Sequence, residues 1–158
     1  MAGRPVADLP VLLGANRSMK QPIIDGNRIT VPSSHEFLPT VDDFLEAILR
    51  QWEIDESIIA DIAISVSELV NNAITHGNKL GTGKSVSIEV DRTDGEARVA
   101  VSDQGAGFDL TEVDNPLDTE NLMKEVGRGI FIVRSLMDSV EITVNETGTT
   151  IVITKSIN

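Results

Sequence analysis

The segment Glu68-Leu69-Val70-Asn71-Asn72-Ala73-Ile74-Thr75-His76-Gly77 holds the residue types most suited to chemistry. Glu68, Asn72 and His76 recur at i, i+4 and i+8, which on a helix sets them in one strip beside the apolar stripe. A carboxylate and a carboxamide one turn apart suit a magnesium–phosphate site. The amide oxygen ligates a hard cation, and Glu68 accepts a proton from a hydroxyl or a water. A solvated polar face fits the same residues, and His76 is equally accounted for by the dipole at the helix C-terminus. A second group is Val101-Ser102-Asp103-Gln104-Gly105-Ala106-Gly107-Phe108, directly after an expected strand. Asp103 can accept a hydrogen bond from an exocyclic amine such as adenine's. Gly105 and Gly107 let the backbone approach a flat ligand with no Cβ in the way, although an ordinary turn uses the same residues. In the third group, Gly127-Arg128-Gly129-Ile130, the glycines read as the opening of a helix. Free N–H groups there bind phosphates, with Arg128 adding a charge. A fourth, Gly148-Thr149-Thr150-Ile151, reads on its own as a hairpin strand.

The elements that must carry these groups follow from periodicity. Residues Met1 to Gly26 show scattered Pro and Gly and no sustained period, so they read as a loose arm; regular structure is expected from Asn27 onward, through residue 158. A short strand over Asn27 to Pro32 precedes a helix capped by Ser33 or Ser34 and running to about Trp52. The next helix runs from about Glu56 to His76, capped by Asp55, with Ile59, Ile62, Val66, Leu69, Val70 and Ala73 as its apolar stripe. Strands are expected over Ser85 to Asp91 and Glu96 to Ser102 around Thr93-Asp94-Gly95. Asp109 to Val126 reads as polar and irregular, Gly127 to Asp138 as a helix, and Val140 to Val144 with Thr149 to Thr154 as a last hairpin. This order predicts an α+β sandwich, with helices on one face of a largely antiparallel sheet.

Composition sets outer bounds. A chain of 158 residues, 41% hydrophobic, is large enough for one domain with a real core. Only 3% of residues are aromatic, so that core must be aliphatic. With no cysteine there are no disulfides, thiolate metal sites or cysteine nucleophiles, and two histidines leave little for a metal cluster. The formal net charge of −12 disfavours nucleic acid and anionic membrane as partners. No apolar run reads as a membrane span and no signal-peptide core opens the chain, so a soluble cytoplasmic domain is expected.

Taken in this order and at these separations, the four groups resemble the ATP-binding boxes of the GHKL superfamily (gyrase, the heat-shock chaperone, histidine kinases, MutL), over about Arg28 to Lys155. The resemblance implies the Bergerat fold, a two-layer α/β sandwich on a mostly antiparallel mixed sheet, with ATP held between the helices under a mobile lid. By this resemblance Asn72 holds Mg²⁺, Glu68 is the catalytic base and Asp103 binds the adenine amine, with Gly105 and Gly107 bounding the base. Gly127, Arg128 and Gly129 meet the phosphates, Thr149 supports the adenine site, and Asp109 to Val126 is the lid. There is no room for a transducer domain or for phospho-acceptor helices. The run Gly129-Ile130-Phe131-Ile132-Val133-Arg134-Ser135-Leu136-Met137-Asp138 resembles the bacterial anti-sigma factor serine kinases. That implies a homodimeric protein-serine kinase that binds a sigma factor and phosphorylates a small STAS-type antagonist protein. A regulatory kinase that does not grip sigma, and a nucleotide-gated binding module without chemistry, fit the same sequence.

Overall fold

The computed structural model describes residues 20–79, 83–105 and 116–158, with side chains from residue 126 onward in the last stretch. Its strands are β1 (Ile23–Asp25), β2 (Arg28–Pro32), β3 (Ser85–Thr93), β4 (Glu96–Asp103), β5 (Ser139–Asn145) and β6 (Gly148–Ser156). Its helices are α1 (Leu38–Gln51), α2 (Glu56–Asn72) and α3 (Pro116–Leu136). A 3₁₀ turn, His35–Phe37, leads into α1, and a π-helical turn, Ala73–Gly77, extends α2.

The strands form one sheet in the order β1-β2-β3-β4-β6-β5, and every pairing among the described residues is antiparallel, so the sheet is not mixed. Two-residue turns set the register of three hairpins. Gly26 and Gly95 supply the positive φ at the first and second of these turns. At the third, Asn145 Oδ1 accepts from the N–H groups of Thr147 and Gly148 at 2.8 and 3.1 Å. Burial alternates along the central strands: Val86, Ile88 and Val90 of β3 and Ala97, Val99 and Val101 of β4 face inward. Among the described residues only one face of the sheet is therefore covered, and the helices cover it.

Val41, Leu45 and Leu49 of α1 and Ile59, Ile62, Val66, Leu69 and Val70 of α2 complete the core. All of the largest fully buried side chains are Ile, Leu or Val, as the low aromatic content requires. By length and mean hydropathy (1.3), Glu56–Gly77 passes for a membrane span, contrary to the sequence expectation. Its apolar stripe is buried in the core, which makes it a core helix.

Two other expectations change. The edge strand β1 lies within the segment read as a loose arm; Ile23 pairs with Thr30 and Asp25 with Arg28. The C-terminal helix begins at Pro116 rather than at Gly127. Proline at a first helical position is a start signal, and Leu122, Val126, Ile130, Val133 and Met137 keep helical spacing across the two glycines.

Candidate functional site

Helix α2 delivers Asn72 to one end of a cleft whose other walls come from β4, α3, β5 and β6. The cleft occupies about 610 Å³, counting the part that opens to solvent. Leu69, Val101, Ile130, Ile142, Val144 and Ile151 make it apolar, and Asn72, His76, Asp103 and Thr149 are the polar side chains that reach it. A mostly apolar slot with a few fixed polar groups suits a flat heterocycle with a polar tail. The π-helical turn widens the helix after Asn72 and keeps His76 on this cleft. Such turns interrupt α-helices frequently at functional sites.

Asp103 ends β4 with its carboxylate half-buried. Burial pushes its pKa above the ordinary 3.8, opposed by hydrogen bonds from the Gly105 and Thr149 N–H groups and by the charge of Lys84. Both N–H groups donate to the same oxygen, Oδ1, at 2.9 and 3.2 Å. Among the described residues Oδ2 keeps its lone pairs for a donor in the cleft. Three glycines pack in and around this strand end. A Cβ on Gly77 would overlap Oδ2, one on Gly105 would overlap the Gly77 carbonyl, and one on Gly148 would overlap the Asp103 carbonyl. The missing side chain of Gly105 thus serves the packing of two chain segments, whereas the sequence reading gave it to the ligand.

Behind this cluster stands Asn78, almost fully buried. Its Nδ2 donates to Ser33 Oγ (3.0 Å) and to the Ser85 carbonyl (3.1 Å), and its Oδ1 accepts from the Gln104 N–H (2.8 Å). It ties the end of the π-helical turn to β3 and to the loop that follows Asp103. Sequence reasoning missed Asn78, Gly77 and Gly148. The one available signal was a carboxamide directly after a helix-ending glycine.

Helix α3 crosses α2 at Gly129, where a Cβ would stand 2.9 Å from Asn72 Nδ2 and 3.6 Å from Glu68 Oε2. Glu68, Asn72 and Gly129 therefore meet where the two helices cross. The anion site expected from Gly127 and Gly129 does not form as read. Both lie inside α3, where backbone N–H groups are taken by carbonyls four residues earlier. Arg128 and Gly127 are exposed on the helix surface. Gly107 and residues 109–115 of the expected lid lie outside the described residues.

Two polar atoms test the fit of a magnesium nucleotide. Asn72 Nδ2 and Thr149 Oγ1 are buried with no hydrogen-bond partner among the described residues, a costly condition that a ligand relieves. No cluster of three or more His, Cys, Asp or Glu able to hold a metal occurs among the described residues. A cation here would rest on the Asn72 carboxamide and on oxygens brought by the ligand, which is the usual manner of Mg²⁺. The residues fit that group.

A two-layer sandwich with this cleft at the end of its core helix defines a class of nucleotide-binding domain, and the comparisons agree. Residues 31–155 match the histidine kinase-like ATPase domain, and the chain belongs to that family. It is 28% identical to the serine-protein kinase RsbW of Bacillus subtilis, over 81% of this chain and 83% of that protein. With the serine-protein kinase RsbW of Staphylococcus aureus it shares 30% identity, over 80% of this chain and 84% of that protein. Its fold is similar to the crystal structure of the RsbU and RsbW domains of a Mycobacterium tuberculosis protein, with a TM-score of 0.59 at 23% identity. That match covers 87% of this chain and 32% of the other, so this chain spans about a third of that solved chain.

Proposed function

We propose that this chain is an ATP-dependent protein-serine kinase that phosphorylates a small STAS-type antagonist protein and also sequesters a sigma factor. The observation that carries the reading is the meeting of Glu68, Asn72 and Gly129 beside an apolar cleft that holds Asp103. Its similarity to serine-protein kinases over four-fifths of its length supports the serine as acceptor.

In this reading Asp103 Oδ2 accepts from the adenine amine, Thr149 supports the same end, and Asn72 holds Mg²⁺. Bound Mg²⁺ neutralises charge on the phosphates; the protein supplies position and a base. Arg128, exposed on α3, is the side chain nearest in sequence to Gly129 with a charge to offer the phosphates. The serine oxygen bonds to the γ-phosphorus as the bond to the β-bridging oxygen breaks. ADP leaves, and the hydroxyl proton passes to the Glu68 carboxylate. A serine hydroxyl is a poor nucleophile until its proton has an acceptor, and a positioned base contributes typically about 10²–10⁴-fold.

The test is transfer of radiolabelled γ-phosphate from ATP to each STAS-type antagonist of the native cell, beside a pull-down with and without ATP. Serine phosphorylation and recovery of a sigma factor are expected. ATP binding with no transfer to any antagonist would overturn the kinase reading in favour of a nucleotide-gated binding module.

A further inference from the structure

On the solvent side of the helical layer, α1 and α2 enclose a second concavity, a shallow groove of about 1300 Å³ including its open side. Two contacts fix how the helices lie. His35, just before α1, meets Asn71 Oδ1 at 2.8 Å, while Arg50 at the end of α1 meets Glu56 at the start of α2 at 3.1 Å. The helices are therefore antiparallel neighbours. The floor is apolar, with Leu38, Ala60, Ala63 and a half-exposed Ile64. Among the described residues its charged lining is of one sign: Asp42, Glu46 and Glu68.

Glu68 lines this groove and is absent from the lining of the nucleotide cleft, whose wall on the same helix is Leu69 and Asn72. The proposed base thus stands on the ridge between the two concavities. A hydroxyl that reaches it along the groove comes from the side opposite the adenine slot. Asp42 and Glu46 follow along the groove from Glu68, one above the other on α1 at i and i+4. Burial, reinforced by the neighbouring Glu46, holds the Asp42 carboxyl up at about 6. Arg50 touches only the Glu46 end, at 2.9 Å, and is shared with Glu56. A like-charged pair on an apolar floor is complementary to a cation carried on an otherwise ordinary peptide.

We propose that this groove is the docking track for the protein substrate, holding an extended segment with its acceptor serine at Glu68 and a lysine or arginine between Asp42 and Glu46. The inference rests on the kinase reading and adds a substrate specificity to it. By position along the antiparallel helices, the acidic pair is offset from the base along the groove by one to two helical turns, about 5–11 Å. At about 3.3 Å per extended residue, the basic residue falls two to four positions from the serine.

The test uses the full chain with a non-hydrolysable ATP analogue and fluorescein-labelled serine peptides. The peptides carry arginine, or glutamine in its place, at each of the positions two to four residues on either side of the serine. Fluorescence anisotropy should show at least one arginine peptide binding about tenfold or more tighter than its glutamine twin. That advantage should vanish in the Asp42→Asn, Glu46→Gln double variant, with ATP affinity unchanged. It should grow in Arg50→Gln, which frees Glu46 of its competing cation. Equal binding of all twins to the wild type, or a preference that survives in the double variant, overturns the docking track. Phosphate transfer to the same peptides is read separately with ATP. Arginine-dependent binding without any transfer supports the groove and removes the kinase reading.

Discussion

A Cβ on Gly129 would stand 2.9 Å from the carboxamide nitrogen of Asn72, so that the close crossing of α3 over α2 depends on the absence of one methyl group. Gly127, one half-turn earlier on α3, meets nothing within 4 Å of where its Cβ would be. The two glycines should therefore separate on substitution. Gly127→Ala should raise stability by about 0.5–1 kcal/mol, the usual gain of alanine over glycine in a helix. In Gly129→Ala the same gain is offset by displacement of Asn72, so stability should stay level or fall while Mg²⁺-ATP affinity drops. Thermal unfolding with a nucleotide titration measures both; equal behaviour of the two variants would remove Gly129 from the site.

Asp103 should decide which purine binds. Its Oδ2, without a hydrogen-bond partner among the described residues, suits the amine of adenine and not the carbonyl at the same place in guanine. A hydrogen bond to a charged group is worth about 1.5–3 kcal/mol, so Asp103→Ala should lose at least about tenfold in ATP affinity. The pH dependence has a definite sign. Burial raises the Asp103 pKa, so the carboxylate is lost at a higher pH than for an ordinary aspartate. ADP affinity should fall as pH is lowered, beginning above the usual carboxylate range, and Asp103→Asn should show no such fall. Calorimetry from pH 7.5 downward (an assay range set by about the physiological pH) checks it.

How far the sequence reached differs between the two ends of the site. Glu68, Asn72 and Asp103 were legible because helix periodicity and a strand end place them without any knowledge of partners. The hairpins at Gly95 and Asn145 were legible for the same reason, since short-range turn chemistry sets their register. The start of α3 was not. Glycines at 127 and 129 read locally as a helix opening, while what keeps them helical is packing of Gly129, Val133 and Met137 on the core, a tertiary effect. The ring of Gly77, Gly105 and Gly148 around Asp103 was hidden for a related reason. These residues lie on three separate segments, and only the fold shows that Gly77 faces the Asp103 carboxylate while Gly105 and Gly148 face the backbone of Gly77 and Asp103. Strand β1 was missed because three residues, all exposed, carry no alternation to read.

Asp42 gives a stability test that is independent of nucleotide. Its folded pKa of about 6 lies above the ordinary 3.8, chiefly through burial and then through Glu46 and Asp43, with Arg50 opposing. A carboxyl raised on folding contributes stability that is present below its unfolded pKa and lost as pH rises through the folded value. Asp42→Asn should therefore leave the melting temperature unchanged near pH 4 and raise it by about 1–3 °C at pH 8, in the range of surface substitutions. A gain at both pH values would show that the charge is not the cause.

Asn72 should matter to the bound state far more than to the fold. Its Nδ2 is buried without a partner among the described residues, so Asn72→Ala abandons no hydrogen bond of that group. Unfolding should change little, and nucleotide should still bind without metal. The tightening that Mg²⁺ brings to ATP should disappear, because one protein ligand out of a shell otherwise made of phosphate and water has gone. If Mg²⁺ strengthens ATP binding equally in both proteins, Asn72 is no ligand.

Glu68 separates chemistry from binding. It stands one turn before Asn72 on α2, faces the groove outside the cleft, and lies where a Cβ on Gly129 would come within 3.6 Å of its Oε2. Glu68→Gln keeps the size and the hydrogen-bonding outline and removes the carboxylate that takes the serine proton. The variant should bind Mg²⁺-ATP and hold its protein partners as the wild type does. Phosphate transfer to the antagonist serine should fall by at least about a hundredfold, the lower end of what a positioned base contributes. If the loss is in proton acceptance, kcat falls and KM for the antagonist stays level, since no contact used in binding has been removed. A rise in KM with unchanged kcat would instead make Glu68 a docking residue of the groove, and the base would have to be sought elsewhere along the cleft.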